Sequence, residues 1–156
     1  MMSLNFGQDS PRDHYDQLVT AIDRLRKEPQ EASLGQQAAI CVWSLCDWVS
    51  KHPSVVGQFA NEKKASRSVI DDAKQDCPEL VLLRAVANAK KHRTLNDKHP
   101  KISKTEINGG FSRAFSNGFK QAGLYVEDDQ GQRYLLDDLL EAARKYWDQK
   151  LTSLGL

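Results

Sequence analysis

Apolar side chains recur every three or four residues along most of this chain, which is the spacing of amphipathic α-helices. The first such stretch begins at Ser10-Pro11, an N-cap residue followed by a proline at the first helical position, and ends before Pro29. The last begins at Asp138, three residues before Glu141, and extends to the C-terminal end. We therefore predict a first and a last helix, each with one apolar face. These faces consist of Tyr15, Leu18, Val19, Ile22 and Leu25, and of Leu139, Leu140, Ala143, Tyr146, Trp147, Leu151 and Leu154.

A second helix is predicted from the capping-box spacing of Ser33 and Gln36, and it continues to about residue 50. Its apolar residues lie nearly all round, which is typical of a helix at the centre of a bundle or at a subunit contact. Asp47 is the exception. A carboxylate on such a helix either lies at an exposed edge or pairs with a cation, for which Arg84 and His92 are the natural partners.

The stretch from Asp76 to Leu95 has the densest apolar pattern in the chain. Asp76 and Glu79 have capping-box spacing, and Pro78 lies in the first turn, where its missing N–H costs nothing. We predict a helix here, preceded by two shorter helices within residues 53–75. Its apolar side consists of Leu80, Leu82, Leu83, Val86, Ala87 and Ala89.

The other side of this helix gathers Arg84, Asn88, Lys91 and His92, which we call the polar strip. One interpretation is that the strip is only the solvated face of an amphipathic helix. Asn88 argues against this, because an Asn side chain competes with the helical backbone unless it has a partner. The other interpretation is a binding site, in which Asn88 and His92 hold a fixed geometry one turn apart and cations bind a phosphate or carboxylate.

Outside the helices, residues 1–9 are predicted to be a flexible arm, and the period is lost over about residues 96–117, which predicts an irregular connection. Alternating apolar residues around the turn residues Asp128, Asp129 and Gly131 predict a β-hairpin over about 123–136. The expected fold is therefore mainly α, a bundle of four to five helices with a small β-hairpin before the C-terminal helix. Residues 10–156 would form one domain.

Composition narrows the class of protein. The 156 residues suit one domain, with 40% hydrophobic and 28% charged residues, and the net charge of +1 gives no overall attraction to nucleic acid or membrane. The N-terminus has no secretory pattern, and no apolar run reaches membrane-spanning length. The three cysteines, Cys41, Cys46 and Cys77, are odd in number and lie in apolar stretches, so we expect reduced core thiols in a cytoplasmic protein.

Common catalytic motifs are missing from the sequence. It has no Gly-rich phosphate loop, nucleophile elbow, HExxH motif or EF-hand loop, and we therefore expect no cofactor and no metal. No recognition helix of the helix-turn-helix type is evident, which argues against sequence-specific DNA binding.

The segment Asn88-Ala-Lys-Lys-His92, late in a helix of a small helical protein, resembles the motif of the HEPN superfamily. The resemblance implies an all-helical fold and metal-independent RNA cleavage, usually across a homodimer. Asn88 and His92 match that motif. The Arg that often precedes the Asn is Ala87 here, so Arg84 or Lys91 would have to replace it. The chain also resembles uncharacterised bacterial and prophage proteins of similar length, a similarity that implies no activity.

If the strip is a ribonuclease site, each residue has a chemical role. His92 would transfer the proton as the ribose 2′-hydroxyl attacks the neighbouring phosphate, because its ordinary pKa lies near neutrality. Arg84, Lys90 and Lys91 would bind the phosphate, and Asn88 would orient the histidine or the RNA. Two alternatives stay open. One is a non-catalytic protein-interaction or scaffold module with a structural Asn88/His92 pair, and the other is the binding of a small anion or nucleotide without turnover.

Overall fold

The structure, a computed structural model, describes residues 10–88, 102–108 and 123–156. It confirms a mainly helical fold with a small antiparallel hairpin before the C-terminal helix. The predicted N-terminal arm lies outside the described residues. Within them are six helices and three strands: α1 (Pro11–Lys27), α2 (Ala32–Lys51), α3 (Pro53–Val56), α4 (Glu62–Asp76), α5 (Glu79–Asn88), β1 (Ile102–Asn108), β2 (Gly123–Asp128), β3 (Arg133–Leu135) and α6 (Leu136–Leu154).

The start of α1 is the one predicted from its sequence. The Ser10 side chain accepts a hydrogen bond from Asp13 N at 3.1 Å, and the Asp13 carboxylate accepts one from Ser10 N at 3.2 Å. Together with Pro11 at the first position, this reciprocal pair satisfies the backbone groups that a helix start leaves open. The helix ends at Lys27, before Pro29.

The predicted start of α2 is wrong by a short distance. The helix begins at Ala32, because Leu34 N and Gly35 N already donate to Glu31 O at 3.1 and 3.3 Å. The cap is therefore Glu31, whose carboxylate accepts from the Ser33 hydroxyl at 2.9 Å and from Ser33 N at 3.5 Å.

Two further predicted starts are also wrong. Asp76 is the last residue of α4, since Cys77 N donates to Ala73 O at 2.9 Å and closes that helix. The next helix, α5, begins only at Glu79. The last helix begins at Leu136 rather than Asp138, directly after β3, and no side chain caps it.

The core lies around α2, which contacts each of the other five described helices. Trp147 of α6 is fully buried and is the largest side chain in this core. Leu18 and Ile22 of α1, Leu45 of α2, and Leu80 of α5 are also fully buried. Within the described residues, no helix combines the length and the apolar character that crossing a membrane requires.

The hairpin belongs to a three-stranded antiparallel sheet with the order β1-β2-β3. Strand β2 pairs with β3 in the register Tyr125 to Leu135, and Asp128 organises the turn by accepting from Gln130 N and Gln132 N, both at 2.9 Å. Strand β1 falls within the connection predicted to be irregular, residues 96–117. The rest of that connection lies outside the described residues.

Ion pairs join the first helix to the last. Arg12 lies 2.8 Å from Asp148, while Arg26, at the other end of α1, lies 2.9 Å from Asp137 and 3.0 Å from Glu141. The start of α1 therefore meets the end of α6, and the two helices pack antiparallel.

Candidate functional site

Arg84 is held in place by an aromatic ring of α2. Its guanidinium carbon lies 5.4 Å from the centroid of the Trp43 ring, a distance at which a cation is attracted to the face of an indole. The Trp43 ring is itself fixed, since its Nε1 donates to Leu80 O of α5 at 3.1 Å. Both side chains are half-buried. Arg84 is therefore a positioned cation at the surface of the bundle.

Two side-chain hydrogen bonds set the direction in which α5 lies on α2. Gln36 Nε2 donates to Val86 O at 3.2 Å, and Trp43 Nε1 donates to Leu80 O. Gln36 precedes Trp43 in α2, whereas its partner Val86 follows Leu80 in α5. The two helices are therefore antiparallel. Both bonds join a side chain to backbone, and they fix the register of the two helices as well as their direction.

Of the polar strip, the structure describes Arg84 and Asn88. Asn88 is the last residue of α5 and is half-buried. It lies four residues after Arg84, so the two side chains share one face of the helix, as the sequence predicted. Lys90, Lys91 and His92 lie outside the described residues, and their place beside Arg84 stays a prediction.

Of the two places predicted for Asp47, an exposed edge of α2 or an ion pair with a cation, the structure shows the exposed edge. Asp47 is exposed, and among the described residues no ion pair joins it to Arg84. Antiparallel packing explains this, because Asp47 lies one turn beyond Trp43 along α2 whereas Arg84 lies one turn beyond Leu80 in the opposite direction. The two residues are separated by about two helical turns, roughly 11 Å along the axis. A contact of Asp47 with His92 lies outside the described residues.

Ala87 is buried, with 8% of its surface exposed. This is the position at which the HEPN motif often has an arginine. Its side chain here packs in the core cluster and carries no charge. Among the described residues of the strip, positive charge comes from Arg84 alone.

No carboxylate neutralises Arg84 within the described part of the chain. A half-buried guanidinium on an aromatic ring is already partly desolvated and still carries its full charge. Such a group can bind a phosphate or carboxylate with two parallel hydrogen bonds. In the sequence, Trp43 is one of the apolar residues that lie nearly all round α2. Its indole N–H, which needs a partner when buried, was the one sign of a different role.

Burial favours the protonated form of the cysteines, because it raises the pKa of each of the three thiols. All three are free, Cys46 and Cys77 are buried, and Cys41 is half-buried. Burial raises the pKa of Cys46 to about 12, and burial together with a hydrogen bond to Glu79 raises the pKa of Cys77 to about 12. Both thiols therefore stay protonated at neutral pH. The described residues contain no group of three or more His, Cys, Asp or Glu side chains placed to bind a metal ion.

The comparisons with known proteins add no relative to this description. No protein-family model, no curated protein and no solved structure matches the chain.

Proposed function

We propose that this helical domain binds RNA in the cytoplasm through the face of α5 that carries Arg84 and Asn88, as a divergent HEPN-like domain. The observation that supports this is the Arg84 guanidinium, held against Trp43 without a carboxylate partner among the described residues. Phosphate contacts by Arg and Lys supply most of the affinity of such binding, and Lys90 and Lys91 follow closely in the sequence.

RNA cleavage is a second part of the proposal, assigned to His92 as the proton-transfer group. Ala87 is buried and carries no charge. Among the described residues of the polar strip, Arg84 is therefore the cation that would stabilise the reacting phosphate. The same buried Ala87 favours the alternative function, a non-catalytic interaction module in which Asn88 and His92 are structural.

The RNA-binding part is tested with Arg84→Ala and a labelled single-stranded RNA, with affinity measured by fluorescence anisotropy over a range of salt concentrations. Loss of one phosphate contact reduces the slope of log affinity against log salt by about 0.7 and weakens binding at every salt concentration. Lys51→Ala is the matched control. Lys51 is an exposed cation at the C-terminal end of α2, whereas the C-terminal end of α5 packs near the start of α2. Equal affinity and slope in Arg84→Ala and the unaltered protein would refute RNA binding at this face.

The catalytic part is tested on the same RNA with His92→Ala. We expect cleavage to disappear while the melting temperature is retained. Cleavage by the variant, or none by the unaltered protein, would refute the catalytic part and leave the RNA-binding part to the Arg84 measurement. If His92→Ala lowers the free energy of unfolding by about 1–3 kcal/mol and leaves RNA binding and cleavage unchanged, the result would support the structural role instead.

A further inference from the structure

Helix α1 carries a charged stripe on the side that faces away from the core. The stripe consists of Asp13, Asp16, Thr20, Arg24 and Lys27, and we call it the α1 stripe. Asp13 is half-buried and the other four are exposed. Its first half is acidic, its centre is a small neutral residue, and its second half is basic.

The order of charges in the α1 stripe is symmetric about Thr20. Asp16 and Arg24 each lie four residues from Thr20, and Asp13 and Lys27 each lie seven residues from it, with opposite signs on the two sides. Spacings of four and seven keep all five residues on one face of a helix. Asp16 and Arg24 are about 12 Å apart along the axis.

The electrostatics of α1 alone account for only part of this arrangement. A helix favours acids in its first turn, such as Asp13, and bases in its last turn, such as Arg24 and Lys27, but the effect fades beyond that turn, and Asp16 lies past it. Within the described part of the chain neither Asp16 nor Arg24 forms an ion pair. Their opposite charges are therefore available to a second molecule.

An apolar surface borders the same stripe. Among the described residues, Ile40 of α2 is the one large apolar side chain left exposed, at 43%. It lines a groove of about 630 Å³ between α1 and α2, together with Gln17, Ala21 and Cys41, beside the middle of the α1 stripe. Association through this face would cover Ile40.

We infer that the α1 stripe, with Ile40 beside it, is the surface on which a second copy of this chain docks, α1 against α1 in antiparallel orientation. A two-fold axis through Thr20 sets Asp16 against Arg24 of the second copy and Asp13 against Lys27 of the second copy, and repeats both contacts by symmetry. All four facing pairs then have opposite charges. The occupant is a second copy because the pattern complements itself. This inference concerns α1 and α2 and does not depend on RNA binding.

The test reverses one charge at a time and measures the dimer by sedimentation equilibrium. The unaltered protein forms a dimer that weakens as salt rises. Asp16→Arg and Arg24→Glu each place like charges together at two symmetric contacts, so each raises the dissociation constant at least about tenfold. Asp71→Arg, the same charge change at an exposed position on α4, leaves the dissociation constant unchanged.

Mixing the two single variants is the decisive measurement. In a pair made of one Asp16→Arg chain and one Arg24→Glu chain, both altered contacts join opposite charges again. The equimolar mixture therefore forms a dimer with one copy of each, although neither variant does so alone. Circular dichroism checks that both variants fold. A protein that is monomeric at its highest soluble concentration, or a mixture that associates no better than its components, would overturn the inference.

Discussion

At the scale of single residues, Glu141 is the point at which the polar contacts of α1 and α6 converge. Its carboxylate accepts from Arg26 Nη2 and from Arg144 Nε, each at 3.0 Å, and Arg144 also donates to the Tyr15 hydroxyl at 3.1 Å. The hydrogen bond from Arg144 is the main cause that lowers the pKa of Glu141 from 4.5 to about 2. The charged form of this carboxyl is therefore favoured in the folded state.

The pKa of Glu141 leads to a prediction about pH. A carboxyl whose pKa is lowered on folding contributes stability that is fully present above its unfolded value near 4.5 and is lost as the pH falls toward 2. We expect Glu141→Gln to lower the free energy of unfolding by about 1–2 kcal/mol at neutral pH and by less as the pH falls through this window. Urea denaturation at several pH values measures this difference, with Asp71→Asn at an exposed position as the control. A difference independent of pH would contradict the assignment.

The polar strip indicates what the sequence can and cannot predict at this scale. That Arg84 and Asn88 share a face follows from their spacing alone, because four residues make about one turn. That Arg84 lies against Trp43 rather than Asp47 does not follow, since it depends on the register between α2 and α5. Packing and the bonds of Gln36 and Trp43 to the α5 backbone set that register, and no local pattern encodes it.

At the scale of elements, Gly35 is where α2 meets the sheet and α6. A Cβ added there would lie 2.6 Å from Leu124 Cδ1 of β2 and 2.7 Å from Leu136 Cδ2 of α6, both closer than atoms pack. Leu124 and Leu136 are themselves buried, so displacing them disturbs the core, although both also line a cavity of about 230 Å³. The close approach of these elements therefore requires a residue without a side chain.

We predict that Gly35→Ala destabilises the protein although it improves helix propensity. Alanine gains about 1 kcal/mol in a helix, whereas overpacking costs about 1–3 kcal/mol, and two simultaneous clashes put the cost at the upper end. The net loss of about 1–2 kcal/mol is measured by urea denaturation. In a Leu124→Ala background the same change should cost less, because one clash is gone. Equal costs in both backgrounds would show that the clash is not the cause.

The existence of the helices was easier to predict than their starts. The start at Ser10 was predicted correctly because its cap is local, formed with Asp13 and followed by Pro11. The spacing of Asp76 and Glu79 suggested a cap of the same kind, but Asp76 continues α4. Glu141 was read as the partner of Asp138, yet it pairs with Arg26 of α1, which lies far away in the sequence. Two polar residues three positions apart indicate a helix cap only when neither side chain is instead bonded to a residue that is distant in the sequence.

At the scale of the whole molecule, periodicity was enough to predict a helical bundle with a hairpin before the last helix. Strand β1 was not predicted, because its partner β2 is distant in sequence and pairing across such a distance leaves no local signal. The nearly continuous apolar surface of α2 predicted a place either at the centre of the bundle or at a subunit contact, and its contacts with all five other described helices show the central position.

The central position of α2 also determines which backbone amides are shielded longest from deuterium. The buried face of α2, which carries Ala38, Val42, Leu45 and Val49, is covered by the surrounding helices, so amide exchange in this helix should require nearly the full free energy of unfolding. Helix α3 has four residues and one buried side chain, Val55, and should exchange through small local openings. Hydrogen exchange measured by mass spectrometry at increasing urea concentrations distinguishes global opening, expected for α2, from local opening, expected for α3. Only exchange through global opening accelerates strongly with urea. Fast, urea-independent exchange in α2 would contradict this, because it would mean that the amides of the central helix open through local fluctuations while the rest of the bundle stays folded.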